Sequence, residues 1–418
     1  MPYVVVEQLP IVWLSHLDWA SAMYFYVQQV DIDEASRLHN VILDVATMDD
    51  HVRLASLLGG QELSDAYAAE NQASMLRFTY IPIGHQGLKE GSWYDVDPIA
   101  FSDTRYQSVA SDEPSASFLR ANLVGVPNEN NFTRFLTAPQ VANVPPTSLE
   151  LVVDSNPKGD IELTVVDCGH GNWNEINTTT DRVIYDVGAS RWFTKAQVRA
   201  VVAGRNLSSE SRSISVVISH WDVDHYHALL EFNPAEFAKL RVVFTPSQVP
   251  NTETYRRVHK LLTAYGVVLA AVQPASRYGA SREIVLEQHW QKGIFTIFRA
   301  TPGRSRNQTG IVLGILGRNG VALLTGDHHY NKVLAAAGKI AEYGKNPCVL
   351  VTPHHGGLAG DPSAAAWLAF FSSLTTPISC GANSHGHPMA NVEAELTAMQ
   401  AGLAPWRTDV SGTWTKLL

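Results

Sequence analysis

Apolar residues recur in short runs through this chain, and the runs become regular after about residue 147. Runs rich in β-branched residues, which are typical of buried strands, alternate there with stretches of helical spacing. The predicted strands cover 149–153, 161–167, 182–187, 214–218, 240–245, 267–272, 295–300, 310–316, 320–325, 348–352 and 377–381. Helices are predicted over 252–265 and 330–343. Strands and helices mixed through one long region predict an α+β sandwich of sheets covered by helices.

The first 145 residues have a different pattern. A capping Asp, helical apolar spacing and a final Gly pair predict a helix over 49–59, and a strand is predicted over 75–83. The chain becomes proline-rich over 138–146, which is typical of a linker. We therefore expect an additional N-terminal α/β region of unknown role over 1–145 and a second domain over 146–418.

Composition limits the classes of partner. The net charge of -9 on 418 residues argues against a broad electrostatic grip on nucleic acid, although a metal centre would supply positive charge locally. Cys168, Cys348 and Cys380 stand singly in apolar runs, so we expect buried thiols and a reducing compartment. The N-terminus lacks the pattern of a secretory signal, and no run reaches the length of a membrane span. We expect a cytoplasmic protein with no membrane partner.

The densest group of candidate ligands follows the apolar run 214–218. His220, Asp222, Asp224 and His225 stand within six residues there. Imidazole nitrogens and carboxylate oxygens suit divalent ions such as zinc, manganese or iron. The plainer interpretation is a solvated acidic loop with two incidental histidines. Crowding four such groups together without a metal is costly, so the sequence favours a metal site.

Polar residues also follow several other predicted strands. Asp167, Asp327, His354, His355 and His387 all occupy such positions. Strand ends at one edge of a sheet are rigid and close together, so ligands far apart in sequence can meet there. Singly, each has a plainer interpretation as a tight turn, a packed histidine pair or a turn cap. Their joint order predicts one shared site.

These motifs are similar to a known family. His220-Trp-Asp-Val-Asp-His225 resembles the His-x-His-x-Asp-His signature of the metallo-β-lactamase superfamily. An Asp at the second histidine position resembles the soluble hydrolase domain of ComEC-type competence DNA-uptake proteins. The further matches, in chain order, are Asp167-Cys-Gly-His-Gly-Asn172, Asn307-Gln-Thr-Gly310, Leu324-Thr-Gly-Asp327, Pro353-His-His-Gly356, Gly381-Ala-Asn-Ser-His-Gly-His387-Pro388 and Arg407-Thr-Asp-Val-Ser-Gly412. The resemblance covers about residues 160–418.

The resemblance implies an αββα sandwich with two divalent ions, zinc or manganese, at one edge. By the same resemblance the metal ligands are His220 and Asp222 for one ion, Asp224, His225 and His387 for the other, and Asp327 as the bridge. His354 or His355 would contact the scissile phosphate or protonate its leaving group, and Asp224 would also orient the attacking water. Asp167 and Asn307 would not bind the ions but would orient the ligands by hydrogen bonds.

The function implied is a metal-dependent hydrolase of ester bonds, most simply a phosphodiesterase or nuclease that uses a hydroxide activated by two metals. Its partner would be nucleic acid or a nucleotide, with a protein partner for the N-terminal region. One alternative is a small-molecule hydrolase acting on a cyclic nucleotide, lactone or thioester, which the acidic charge favours. The other is a catalytically weakened partner-binding protein. Asn172 in place of the branch's Asp, and the lack of the superfamily's separate histidine, support that alternative.

Overall fold

The computed structural model describes residues 23–33, 38–47, 49–50, 75–80, 91–96, 107–108, 117–118, 139, 141, 160–275, 283–303, 305–383 and 385–418. The chain divides into two compact units. The first unit is Met1–Pro139 with Pro250–His259, and the second is Gln140–Val249 with Lys260–Leu418. The predicted strand 149–153 lies outside the described residues, as does the predicted helix 49–59 beyond its first two positions.

The first unit contains an antiparallel sheet in the order β3-β2-β1-β4. Its strands are β1 (Met23–Asp33), β2 (Leu38–Val45), β3 (Met75–Tyr80) and β4 (Trp93–Val96). A short pair, β5 (Gln107–Ser108) and β6 (Ser117–Phe118), accompanies it. The strand predicted over 75–83 is confirmed as β3. Phe25 of β1 stacks on Tyr94 of β4 with ring centroids 5.6 Å apart, so aromatic packing joins one edge strand to its neighbour.

A buried carboxylate lies within the first unit. Asp44 is fully buried, and its Oδ1 accepts hydrogen bonds from the backbone N–H groups of Val45 (2.9 Å) and Thr254 (3.4 Å). Its Oδ2 accepts one from Gln28 Nε2 at 3.5 Å. Burial raises the pKa of Asp44 to about 7, although these hydrogen bonds oppose the shift.

The second unit contains two mixed sheets. The first has the order β12-β11-β10-β9-β8-β7-β19 in the described part of the chain. Its strands are β7 (Glu162–Val165), β8 (Asn174–Asn177), β9 (Asp181–Tyr185), β10 (Ser213–Val217), β11 (Leu240–Pro246), β12 (Val268–Val272) and β19 (Trp414–Leu417). Strands β9 to β12 run parallel, and β7 and β8 add antiparallel hairpins.

The second sheet has the order β13-β14-β15-β16-β17-β18. Its strands are β13 (Leu286–Lys292), β14 (Phe295–Ala300), β15 (Ile311–Leu316), β16 (Val321–Leu324), β17 (Pro347–Val351) and β18 (Ser373–Thr375). Strands β13 to β16 form an antiparallel meander, and β17 and β18 continue it in parallel.

The α-helices described from residue 160 onward are α1 (Lys195–Gly204), α2 (Pro234–Phe237), α3 (Glu253–Ala264), α4 (Tyr330–Ala337), α5 (Ala364–Phe370), α6 (Ala390–Met399) and α7 (Thr408–Ser411). The first part of α3, up to His259, belongs to the first unit. Thr194 begins α1 with a capping box to Gln197, and Asn233 does the same for α2 with Glu236. The sequence therefore encodes both of these helix starts locally.

Alternate side chains of β16 enter two different cores. Ala322 and Leu324 pack between the two sheets, in a cluster that includes strand residues of the first sheet. Val321 and Leu323 face the opposite way and pack against residues of α4, α5 and α6. This period of two is expected of a strand buried on both faces. The predicted α+β sandwich is therefore confirmed.

Several element predictions need correction. The segment predicted as a strand over 377–381 makes only an isolated bridge, between Ile378 and Arg407, and β18 lies earlier. In the second unit, strands β8, β13, β18 and β19 were not predicted, because their residues are largely polar or amphipathic. In the first unit, β1, β2, β4, β5 and β6 were not predicted either, although β1 and β2 contain apolar runs. The helix predicted over 330–343 ends at Ala337, where Gly338 is the C-cap, and a 3₁₀ turn at Ala341–Tyr343 follows.

Two further predictions concern bulk properties. All three cysteines are buried free thiols, as predicted. Among the helices that the structure describes, none is both long and apolar enough to cross a membrane.

Candidate metal centre

Asp186, a buried carboxylate that was not predicted from the sequence, binds residues of the loop after β10. Asp186 directly follows β9, the parallel neighbour of β10. It accepts hydrogen bonds from Ser219 N (2.6 Å) and Ser219 Oγ (2.7 Å), and its Oδ2 lies 2.8 Å from His225 Nδ1. A carboxylate at that distance holds a proton on Nδ1, so Nε2 is the nitrogen that a cation would bind, with release of the Nε2 proton.

The first group of candidate ligands combines His220, His225 and Asp327, whose ligand atoms lie within 4.8 Å of one another. His225 Nε2 lies 3.3 Å from Asp327 Oδ1, and His220 Nε2 lies 3.7 Å from Asp327 Oδ2. Gly326, at φ +54°, makes this approach sterically feasible, because a Cβ there would lie 2.7 Å from the Ser219 side chain. The Thr-Gly-Asp turn after β16 therefore brings Asp327 to the histidines of the β10 loop.

The second group combines Asp224, His225 and His355. His355 Nε2 lies 3.5 Å from Asp224 Oδ2 and 4.0 Å from Asp327 Oδ1. His355 Nδ1 lies 2.8 Å from Ser379 O, and a carbonyl oxygen only accepts, so this nitrogen carries the proton and Nε2 carries the lone pair. The backbones of His354 and His355 adopt left-handed φ values of 51° and 54°. Such conformations cost roughly 1–3 kcal/mol each in non-glycine residues and are concentrated at functional sites.

The two groups suit a divalent cation. The Nε2 atoms of His220, His225 and His355 and the Oδ1 of Asp327 are all buried and have no hydrogen-bond partner among the described residues. Buried polar atoms are nearly always satisfied, so unsatisfied atoms gathered at one place call for an explanation. Imidazole nitrogens with carboxylate oxygens are the donor set that zinc and related ions take, and an ion would satisfy them together.

The charges of the centre are strongly coupled. Burial by itself would raise the pKa of Asp327, but His225 and His354 hold it well below its usual range. Burial would likewise raise the pKa of Asp224, and Arg191 and His355 hold it well below. Burial would lower the pKa of His225, yet Asp327 and Asp186 raise it well above its usual value. Both carboxylates are therefore ionised at neutral pH, as ligands to a cation must be.

Both carboxylates of the loop after β10, Asp222 and Asp224, form an ion pair with an arginine. Arg191 Nη2 lies 2.7 Å from Asp224 Oδ1, and Arg306 Nη1 lies 2.9 Å from Asp222 Oδ1. Asp222 Oδ2 lies 3.3 Å from His220 Nε2. Asp222 belongs to neither ligand group found among the described residues.

Further histidines surround the second group. The ring centroid of His170 lies 4.4 Å from that of His355 and 5.7 Å from that of His387. His354 contacts His387 edge-on at 5.1 Å, and His385 lies 5.4 Å from His387. Burial and the neighbouring His354 lower the pKa of His387 to about 3, and burial and His355 hold that of His170 well below its usual value.

The structure thus gathers most of the predicted site residues. Those brought together are His220, Asp222, Asp224, His225, Asp327, His354 and His355. His387 stands beside His354 but belongs to neither ligand group of the described residues, so its predicted place as a ligand stays a prediction.

The two predicted supporting residues lie elsewhere. Asp167 is exposed, and its carboxylate accepts one hydrogen bond within the described part of the chain, from Gly169 N at 3.4 Å. Asp186 instead makes the contacts to the β10 loop that were expected of Asp167. Asn307 is half-buried in the turn before β15, where its neighbour Arg306 reaches Asp222.

Four residues of this region were missed by sequence reasoning: Asp186, His170, Arg191 and Arg306. The rule that polar residues follow strands would have found Asp186, had the strand been ended at Tyr185 and not at 187. His170 lies inside a motif that was recognised, two residues before Asn172. No local signal identifies the arginines, because their partners are 33 and 84 residues away in sequence.

Solved structures similar to this chain include a metallo-β-lactamase fold protein, a tRNase Z and an RNase Z. YhfI from Bacillus subtilis, a metallo-β-lactamase fold protein, aligns with a TM-score of 0.37 and 13% identity over 62% of this chain and 100% of that chain. The short form of human tRNase Z aligns at 0.31 and 11%, over 51% of this chain and 91% of its own. A long form RNase Z from yeast aligns at 0.28 and 7%, over 75% and 53% respectively.

No protein-family model matches the sequence, and no curated protein matches it. The fold assignment therefore rests on the sheets and helices described above, and any functional assignment rests on the geometry of the site. The resemblance to the ComEC-type branch stays a prediction.

Proposed function

We propose that this chain is a metal-dependent hydrolase that cleaves phosphodiester bonds. The observation that carries the proposal is the gathering of four buried ligand atoms, from His220, His225, His355 and Asp327, that have no hydrogen-bond partner within the described ranges. Natural proteins rarely leave such atoms unpaired without a functional reason.

A divalent ion held there would lower the pKa of water and offset negative charge on a reacting phosphoryl group. The chain's own residues prepare the ligands for it. Asp186 and the Ser379 carbonyl accept hydrogen bonds from Nδ1 of His225 and His355, so both Nε2 atoms are oriented before an ion arrives. This preorganisation reduces the reorganisation needed when the ion binds.

His354 is the imidazole best placed to meet a substrate. Its side chain is 31% exposed, whereas that of His355 is 4% exposed. Burial lowers the pKa of His354 despite the opposing charge of Asp327, so the ring is neutral near pH 7. A neutral ring donates one hydrogen bond, which suits contact with a phosphoryl oxygen better than proton delivery to a leaving group. We assign His354 the contact role.

Asp224 acts as an orienting carboxylate in this proposal. Arg191 binds its Oδ1, and its Oδ2 faces His355 Nε2 at 3.5 Å. The carboxylate is thereby held in one rotamer at the centre, where its free lone pairs can align a water molecule.

The charge of the chain bears on substrate size. With a net charge of -9, the protein lacks the surplus of cations that long polyanions require, so a short phosphodiester or a single-stranded end fits better than duplex DNA. The same charge also favours the second candidate, a hydrolase of uncharged small esters such as lactones or thioesters.

A substrate panel tests the proposal. The zinc- or manganese-loaded chain is assayed on bis-(p-nitrophenyl) phosphate, a cyclic nucleotide, single-stranded DNA and a lactone, alongside Asp327→Asn. The matched control is Asp361→Asn, because Asp361 is an exposed carboxylate whose Oδ1 accepts a hydrogen bond from Ser363 N. We expect phosphodiester turnover that Asp327→Asn removes and Asp361→Asn retains. Turnover of the lactone alone, or of no substrate while the metal is bound, would overturn the phosphodiesterase assignment.

A further inference from the structure

The two ligand groups of this centre share one atom. Each needs a ring nitrogen of His225, and its Nδ1 is already engaged by Asp186 at 2.8 Å. Only Nε2 remains, and a neutral imidazole nitrogen has one lone pair, which binds one ion. The two groups are therefore alternatives, and both cannot be filled at once.

The distances in the first group are compatible with ligands of one ion. Metal bonds of about 2.0–2.1 Å place neighbouring ligand atoms of a tetrahedral site about 3.4 Å apart. Asp327 Oδ1 lies 3.3 Å from His225 Nε2, and Asp327 Oδ2 lies 3.7 Å from His220 Nε2, so the carboxylate faces both imidazoles. Two imidazoles and one carboxylate, with a fourth position left open, is also the composition of many catalytic zinc sites.

The carboxylates differ between the two groups. Asp327 Oδ1 is buried and accepts no hydrogen bond from the described residues. Asp224, the carboxylate of the second group, is bound by Arg191 at 2.7 Å, and a guanidinium so close repels a second cation. Asp222, the remaining carboxylate near His220, is bound by Arg306 in the same way. Arginine does not lose its proton at physiological pH, so these pairs persist.

We propose that this chain holds one tightly bound divalent ion, on His220, His225 and Asp327, and that Arg191 and Arg306 occupy the carboxylates a second ion would need. The inference deepens the metal centre of the proposed hydrolase, but it concerns binding and is measured without substrate. A protein with two tightly bound ions would still be a hydrolase, so the two proposals fail separately.

Metal stoichiometry is the direct test. The metal-free chain is dialysed against buffered Zn²⁺ at increasing free concentration, and bound zinc is measured by elemental analysis. We expect one equivalent bound tightly and any second equivalent at least 100-fold more weakly. Two equivalents of similar affinity would overturn the proposal.

Two matched histidine variants locate the ion. His220 and His355 are both buried imidazoles, 2% and 4% exposed, and each belongs to only one group. We expect His220→Ala to weaken the tight equivalent at least 100-fold and His355→Ala to weaken it less than 10-fold. The reverse order would overturn the assignment. Where an alanine variant loses its circular dichroism signal, the glutamine variant, which fills more of the ring volume, takes its place.

The arginines provide the last arm of the test. Arg306→Met frees Asp222, and Arg191→Met frees Asp224, while each retains the apolar stem of the side chain. We expect at least one of the two variants to bind the second equivalent 10-fold or more tightly than the unaltered chain. If neither variant changes it, the arginines do not exclude the second ion, and that part of the proposal fails.

Discussion

Two buried carboxylates, Asp44 in the first unit and Asp327 in the second, have opposite surroundings. Both carboxylate oxygens of Asp44 accept hydrogen bonds, Oδ1 from backbone N–H groups and Oδ2 from a side-chain amide. Asp327 Oδ1 is buried and accepts none within the described part of the chain, and it faces imidazole nitrogens that also lack partners.

Burial alone therefore does not identify a functional acid. Asp44 is saturated by groups of the protein, and its pKa rises to about 7 because burial outweighs its neutral donors. Burial would also raise the pKa of Asp327, but the neighbouring His225 and His354 side chains hold it well below its usual range. A carboxylate kept ionised while its acceptor atoms stay empty is arranged for a cation, and a carboxylate satisfied by neutral donors is part of the structure.

The largest expected effect comes from Asp327. We expect Asp327→Asn to lower turnover of the best substrate roughly 10⁴-fold, because a metal contributes several kcal/mol of transition-state stabilisation and 1.36 kcal/mol is a factor of ten. The measurement is kcat/KM with elemental analysis of the same sample, and circular dichroism confirms the fold. Unchanged metal content with full activity would mean that the empty acceptor of Asp327 is not a ligand.

Asp44 gives an effect on stability and not on metal binding. Its folded pKa of about 7 exceeds the usual value of 3.8, so the folded state keeps a proton that the unfolded chain loses. Its contribution is fully present below pH 3.8 and is lost as the pH rises through 7. A shift of about three units corresponds to a stability change on the order of 4 kcal/mol.

Asp44→Asn, which cannot ionise, should remove this pH dependence. The measurement is the free energy of unfolding in denaturant between pH 4 and 8. We expect the stability of the variant relative to the unaltered chain to increase as the pH rises. Asp49→Asn, at an exposed neighbouring position, is the control. Parallel pH profiles for Asp44→Asn and the unaltered chain would show that the buried acid is not protonated in the fold.

The smallest expected change in metal affinity comes from Asp186, which contacts the ligand His225. Asp186→Asn keeps only one acceptor oxygen, so it cannot accept hydrogen bonds both from Ser219 N and from His225 Nδ1, and the His225 ring loses its fixed orientation. We expect metal affinity to fall 10–100-fold, the usual loss for such supporting residues. Asp167→Asn, at an exposed strand end, should leave the affinity unchanged. An equal loss of metal affinity in both variants would mean that Asp167 also supports the ligands, as the sequence predicted.

In the second unit, the strands were predicted where apolar residues form continuous runs, whereas the apolar runs of β1 and β2 in the first unit were missed. Strands β9 to β12 and β14 to β17 are buried and rich in β-branched residues, and each was found with small errors at its ends. Strand β13 was not predicted, because its residues, Leu-Glu-Gln-His-Trp-Gln-Lys, are mostly polar and only one of them is buried. The period of burial is weak at the edge of a sheet, where one side of the strand faces water.

The residue types of the centre could be predicted from the chain alone, because metal ions bind imidazoles and carboxylates and the strand-end pattern shows where these residues fall. The α+β sandwich was predicted from the mixture of buried strand runs and helical stretches together with the order of the motifs. The contacts between distant residues came from the folded structure alone: Asp186 binds one nitrogen of His225, Arg191 and Arg306 bind two carboxylates, and Asp327 Oδ1 has no hydrogen-bond partner among the described residues. Hydrogen bonds and ion pairs between residues far apart in the chain depend on distances and directions, which a linear pattern does not contain.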